Sequence, residues 1–207
     1  ATDEKSNEIT AVPELLKFLD IEKSVLLHDI GKDVTKTIKN GKVHFYGHEF
    51  IGAKMTKEIL RRLHYSNEII NEVVFFVENH MWFFSFTSDK PNDKVIRKVQ
   101  YKCKHIERFN DLMLLMQADR LSGPEKYQDP NFFERITNYS NYMVSDDMAM
   151  FGYELPVNGN DIMKTKGIPA GPYVKKIKNA ILEYAIKCNP RISYESAIKF
   201  IKGYNIN

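Results

Sequence analysis

Cysteine is nearly absent from this sequence of 207 residues: Cys103 and Cys188 are the only two. They cannot form a disulfide framework, so a packed core must carry the fold, and a reducing cytoplasm is the expected setting. Two isolated thiols also exclude a cysteine-built metal site. Long apolar runs are missing too. No stretch approaches the roughly 18 uninterrupted apolar residues of a spanning helix, so no membrane partner is expected. Strong charge of one sign is lacking, with 30 Lys and Arg against 27 Asp and Glu and a net charge of +3. That balance permits an anionic partner without requiring one. Residues 1–8 have no apolar core and are not a signal peptide. The chain also lacks an initiator Met, so it is expected to be processed, trimmed or part of a longer chain. What remains, 43% apolar and 28% charged residues, is ordinary globular composition and excludes a collagen-like or disordered chain. The length suits one large domain, or one domain with a small appendage.

Apolar spacing reads as helical nearly throughout. Pro13 opens a first amphipathic helix with Leu15, Leu16, Phe18 and Leu19, since proline suits the first helical turn. Residues 24–30 form a short apolar run that Gly31 should stop, and Asp33 to Gly41 reads as a charged loop. A helix is expected over 48–63, with Ile51, Met55, Ile59, Leu60 and Leu63 on one face. Ser66 reads as the N-cap of a helix continuing to Phe84. Its β-branched residues leave a strand over 69–77 as the alternative. Helices follow over about 93–103, 105–121 and 130–151. From Leu155 the character changes: Pro156, Gly159, Gly167, Pro169, Gly171 and Pro172 make a turn-rich junction. A Lys-rich helix and a last helix from Ser193 to Lys202 complete the chain. The expected fold is therefore all-α, a helical bundle over 1–152 with a small helical tail over 153–207.

The densest chemistry lies at His28-Asp29. An imidazole beside a carboxylate offers nitrogen and oxygen ligands about 100° apart on a helix, so a metal between their directions touches both. Lys32 follows as a point charge for an anion. His48, His80 and Asp119 each cap or interrupt a run that otherwise packs. Three His and two Asp on several helices can converge inside a bundle and enclose metal. Nitrogen and oxygen ligands without thiolates suit Mg, Mn, Fe, Co, Ni or Zn. Plainer readings stand beside this one. His28 and Asp29 can simply end a helix, His80 can be a satisfied core histidine, and Asp119-Arg120 can pair at the surface. His44 is an alternative to His48, while His64 and His105 read as surface residues. Phe75, Phe76, Trp82, Phe83, Phe84 and Phe86 can stack on bases, but their helical spacing favours the core. Lys175, Lys176 and Lys178 can meet RNA phosphates, although such a run is more often a solvated face.

Leu26-Leu27-His28-Asp29-Ile30-Gly31-Lys32 resembles the signature of the HD-domain metal-dependent phosphohydrolases, and His48, His80 and Asp119 fall where that superfamily's later ligands lie. Phe45-Tyr46-Gly47-His48-Glu49 with Gly52-Ala53 is similar to the HD region of bacterial CCA-adding enzymes (tRNA nucleotidyltransferases) and related poly(A) polymerases. Leu155 to Met163, with Gly167 and Pro169-Ala170-Gly171-Pro172, resembles their tail motif, a Gly-Asp-Leu-Met-like turn before Pro-Gly-Pro and a helix. Together the two blocks cover roughly residues 24–190.

The resemblance implies a phosphohydrolase acting on nucleotide or RNA-terminal phosphoesters, such as 2′,3′-cyclic nucleotide phosphates, with divalent metal as cofactor. It implies that Asp29 bridges two cations, that His28 and Asp119 help hold one, and that His48 and His80 hold the other. Lys32 would assist the phosphate. Three departures qualify this. The superfamily has a ligand histidine upstream of its His-Asp pair, but no His precedes His28. The nucleotidyltransferase head, with Gly-Ser and paired Asp, has no counterpart, so this chain alone should not add CCA or poly(A). Lys175 stands where the family often has Gly. The first two departures suggest a C-terminal part of a longer enzyme. The alternative function is a non-catalytic body and tail that grips tRNA.

Overall fold

The computed structural model describes residues 20–82, 92–123, 129, 131–188 and 191–205. The fold is all-α, apart from one two-stranded hairpin among the described residues. It divides into two compact units. One comprises residues 1–87 and 110–133, and the other 88–109 and 134–207. The second unit therefore holds residues on both sides of the 152–156 boundary expected from the sequence.

The first unit begins with helical residues 20–27 (α1). The chain then turns through 28–31, with Ile30 N–H donating to Leu27 O and Lys32 N–H to Asp29 O. Gly31, expected to stop the run over 24–30, lies in this turn. Its φ is an ordinary −76°, and the glycine serves close approach. A Cβ there would lie 2.2 Å from His48 O and 2.7 Å from Gly52 N. The turn carrying His28 and Asp29 thus sits directly on the next long helix.

Residues 33–41 are not simply a loop. A short α2 (Lys32–Thr35) leads into β1 (Thr37–Lys39) and β2 (Lys42–His44), which pair antiparallel with Lys39 opposite Lys42. Asn40 and Gly41 both have positive φ, 52° and 72°, as a two-residue type I′ hairpin loop requires. The Asn-Gly signal was present in the sequence but flanked by strands of only three residues.

Helix α3 (His48–Arg62) packs against α4 (Asn67–Asn79). The buried face of α3 is His48, Gly52, Ala53, Thr56 and Leu60; of the face expected, Leu60 is buried, Ile51, Met55 and Ile59 are half-buried and Leu63 is exposed. Small residues line much of this face: a Cβ added at Gly52 would lie 3.4 Å from Gly31 N and from Val77 Cγ1, and one added at Gly31 would lie 2.7 Å from Gly52 N. Leu60, Ala53, Ile70, Val73 and Val77 form the shared core. α3 ends with His64 at φ 59°, where His64 N–H donates to Arg61 O and Tyr65 N–H to Leu60 O. This is a Schellman ending with histidine in the usual glycine place. Ser66 caps α4 as expected, accepting from Ile69 N–H. The β-branched segment 69–77 is helical, its apolar positions meeting α3. The helix ends at Asn79 rather than Phe84: Asn79 Nδ2 donates to Phe75 O and its Oδ1 accepts from Trp82 Nε1. Phe83, Phe84 and Phe86 lie outside the described residues.

α5 (Asp93–Cys103) and α6 (Ile106–Ser122) match expectation closely. α7 (Phe132–Ser145) stops six residues before the expected Phe151. Met148 N–H reaches Met143 O and Asp147 N–H reaches Val144 O, with Asp147 at φ 60°. Again a non-glycine residue takes the left-handed position, so no glycine marked the stop.

In the second unit the expected Gly-Asp-Leu-Met-like turn proves to be the start of a helix, α8 (Gly159–Lys166). Asn158 and Asp161 close a reciprocal capping box there. α9 (Pro172–Cys188) and α10 (Tyr194–Gly203) follow. Ile162, Ile177, Ile181, Ala197 and Ile201 bury together with Val157. No described helix is long and apolar enough to cross a membrane.

Candidate metal centre

All five residues expected as ligands lie in the first unit, and the structure brings them together. His28 and Asp29 come from the turn after α1, His48 from the first residue of α3, His80 from the end of α4 and Asp119 from α6. Their ligand atoms form two groups, His28–Asp29–Asp119 and Asp29–His48–His80, each within 4.8 Å of one another.

The three imidazoles repeat one arrangement. Nδ1–H of His28 donates to Val25 O at 2.7 Å, that of His48 to Phe45 O at 2.9 Å, and that of His80 to Val77 O at 2.7 Å. Each acceptor lies three residues upstream. A carbonyl only accepts, so Nδ1 must carry a hydrogen, and each Nε2 is the ring nitrogen directed at the cluster.

Asp29 stands between the two groups. Its Oδ1 is 3.3 Å from His48 Nε2 and 4.0 Å from His80 Nε2. Its Oδ2 is 3.3 Å from His28 Nε2 and 2.5 Å from Lys32 Nζ. Asp119 Oδ1 lies 3.3 Å from the same His28 nitrogen. His48 Nε2 and His80 Nε2 are 3.1 Å apart. His28 Nε2 is buried yet has no well-formed hydrogen bond.

Charge follows this geometry. Burial opposes a charge on His28, but the carboxylates of Asp119 and Asp29 and the Val25 carbonyl outweigh it and push the ring up to about 10. Burial would raise Asp29, yet His28 and Lys32 hold it well below the usual carboxylate range. Asp119 is lowered in the same way, burial being overcome by His28. His80 moves down, first through burial and then, against the pull of the Val77 carbonyl, through the charges of His28 and His48. Two Nε2 lone pairs thus face each other at His48 and His80, while a proton on His28 Nε2 is held between two carboxylates. Divalent cations relieve that arrangement, and its imidazole and carboxylate donors fit such ions.

The other expected residues fall as follows. Lys32 holds Asp29 and lies 5.8 Å from the Phe45 ring centroid. His44 joins neither group; it stacks on Tyr46 at 4.9 Å. His64 and His105 are exposed. His80 is only 2% exposed, so it is buried as a core histidine would be, but its Nε2 faces the cluster. Arg120 lies over the Phe132 ring. Phe76 is buried, which supports the core reading of that aromatic. Lys175, Lys176 and Lys178 are exposed along α9, in the second unit. Cys103 is buried in the core. Sequence reasoning missed the close approach of Gly31 to Gly52 that seats the His28-Asp29 turn on α3, and the carbonyls of Val25, Phe45 and Val77. The common three-residue offset was the only available signal for the carbonyls.

Residues 14–123 match the HD domain family. An A-adding tRNA nucleotidyltransferase of Deinococcus radiodurans is 26% identical over 171 residues, covering 77% of this chain and 36% of that protein. The multifunctional CCA proteins of Actinobacillus pleuropneumoniae serotypes 5b and 7 are each 31% identical over 98 residues, covering 46% of this chain and 23% of theirs. The chain therefore spans about a third or less of the length of these relatives. No solved structure matches it. With the match extending over more than half of its residues, the chain belongs to the HD domain family.

Proposed function

We propose that the cluster is the centre of a divalent-metal-dependent phosphohydrolase acting on nucleotide or RNA-terminal phosphoesters, 2′,3′-cyclic nucleotide phosphates among them. One observation carries the reading. The two oxygens of Asp29 each face a different set of ligands, His48 and His80 on one side and His28 and Asp119 on the other. Those two sets would hold two cations with Asp29 common to both. Divalent cations held there would neutralise phosphate oxygens and acidify a water. The chain itself supplies the rest. The main-chain carbonyls fix the three rings, Asp29 keeps its charge beside Lys32, and Lys32 Nζ offers a cation to a substrate phosphate. The test is hydrolysis of 2′,3′-cyclic AMP with Mg, Mn, Ni or Co. Turnover that Asp29→Asn abolishes supports the reading, and no turnover with any of the four ions rejects it.

A second reading is a body and tail that grips tRNA without hydrolysis. One observation favours it. The D. radiodurans match, at 77% of the chain, is longer than residues 1–152 and so extends into the tail over 153–207. Lys175, Lys176 and Lys178 on α9 would then meet RNA phosphates. Salt-dependent tRNA binding that survives His28→Ala with Asp29→Ala, and weakens when the three lysines become Gln, would favour this reading.

A further inference from the structure

The hairpin between the two halves of the ligand set is built in a way that its own stability does not explain. Lys39 and Lys42 stand directly opposite each other, and like charges so placed destabilise a strand pair. Among the described residues neither has an ion-pair partner, nor has Lys36. Residues 32–44 carry four lysines against one acid, Asp33. Cross-strand partners share a face, so Lys39 and Lys42 lie on the face of His44, which pairs with Thr37. On that chain segment the His44 and Tyr46 rings lie parallel, 10° apart in plane and 4.9 Å between centroids, with Tyr46 71% exposed. Aromatic faces beside unpaired cations are the components of a single-strand nucleic acid platform.

Both ends of this arm are fixed to the cluster. Lys32, bonded to Asp29, opens the helix that leads into β1. Phe45, just past β2, accepts the Nδ1–H of His48. Lys42 lies six positions before His48, so it is within about 20 Å of that ligand along the chain.

We infer that the hairpin over Thr37–His44, with Tyr46, is a binding arm for a single RNA strand. The strand's phosphates would lie along Lys36, Lys39 and Lys42 and a base would lie on the Tyr46–His44 stack, delivering its terminal phosphoester to the metal centre. The delivery rests on the phosphohydrolase reading; the binding of the strand does not.

The test is fluorescence anisotropy of a short unstructured single-stranded RNA on the full chain, titrated at several salt concentrations. Changing Lys36, Lys39 and Lys42 together to Gln should weaken binding at least ~10-fold and lower the salt slope by about 2, since each phosphate that a lysine neutralises contributes about 0.7. Tyr46→Ala should weaken it about 5-fold or more with the slope unchanged. Circular dichroism melting of each variant confirms the fold, and Lys39→Gln alone gives a milder variant with a slope lowered by about 0.7. Wild-type protein that does not bind the RNA, or a triple variant with the wild-type affinity and slope, overturns the arm. Hydrolysis of 2′,3′-cyclic AMP by the same preparation separates the two ideas. RNA binding that needs the lysines, without hydrolysis, upholds the arm and rejects the hydrolase. Hydrolysis without RNA binding rejects the arm alone.

Discussion

The Nε2 atoms of His48 and His80 face each other across 3.1 Å, while each ring already commits its Nδ1–H to a main-chain carbonyl. Two lone pairs at that distance repel unless a cation or a proton lies between or beside them. Burial and the neighbouring imidazoles already disfavour a proton on His80. A metal ion should therefore stabilise the fold markedly. At a free concentration 100 times Kd, the gain is about 2.7 kcal/mol, or roughly 5–10 °C in Tm for a chain of this size. Calorimetry of EDTA-dialysed protein with and without Mn or Ni measures it. His80→Ala should lose most of the gain; a shift as large as that of the wild type would count against this pair as ligands.

Asp29 touches both ligand groups, and its two oxygens are not interchangeable. Asp29→Asn keeps the volume, removes the charge that His28 and Lys32 stabilise, and replaces one oxygen with a donor. Metal content measured by elemental analysis should fall towards zero in this variant. Asp119→Ala touches only the His28 side and should retain the ion held by His48 and His80. Equal losses in the two variants would mean that the centre is a single site, with Asp29 in no bridging place.

Proton and metal compete for one lone pair at His28. In the metal-free cluster that ring is pushed up to about 10, above its ordinary value near 6.5. The protonated ring therefore adds stability that is fully present below about 6.5 and is lost as pH rises towards 10. Binding of a cation at Nε2 must release this proton. Titration calorimetry at pH 7.5 in buffers of different ionisation enthalpy should show proton release near one per cation on this side, and His28→Ala should remove it. Affinity on the His28 side should rise with pH across the same window. No buffer dependence in the wild-type protein would contradict the charge assignment.

The sequence was most legible where chemistry and periodicity coincide. His28, Asp29, His48, His80 and Asp119 were visible as polar interruptions of packed runs, and each proved to face one place. The helix expected over 48–63 was legible from its spacing, and Leu60 on its buried face with it, but the small residues of that face were not. Gly52 lies inward where a Cβ at Gly31 would come within 2.7 Å of its N, and no hydropathy pattern encodes that approach. Helix ends were misjudged where His64 and Asp147 take left-handed backbone in place of glycine. The hairpin over 37–44 was missed although Asn40-Gly41 marked it, because three-residue strands with exposed lysines lack a burial pattern to read. Which carbonyl orients each imidazole depends on the local turn, so residue identity gave no indication of it.

Gly31 is where the ligand turn and α3 come closest. A methyl group there would lie 2.2 Å from His48 O and 2.7 Å from Gly52 N, both backbone atoms that cannot rotate away. Gly31→Ala should therefore push the His28-Asp29 turn off α3, costing about 1–3 kcal/mol and separating the ligands of the two groups. Gly171→Ala is the matched control, since nothing lies within 4 Å of the added carbon, and it should change stability by less than about 0.5 kcal/mol. The informative measurement is metal-dependent stabilisation in both variants. Gly171→Ala should keep the wild-type shift, whereas Gly31→Ala should lose it even at temperatures where it remains folded. If Gly31→Ala bound metal as tightly as the wild type, the close approach would be incidental to the site. The positions of His28 and Asp29 would then have to be fixed by their own hydrogen bonds alone.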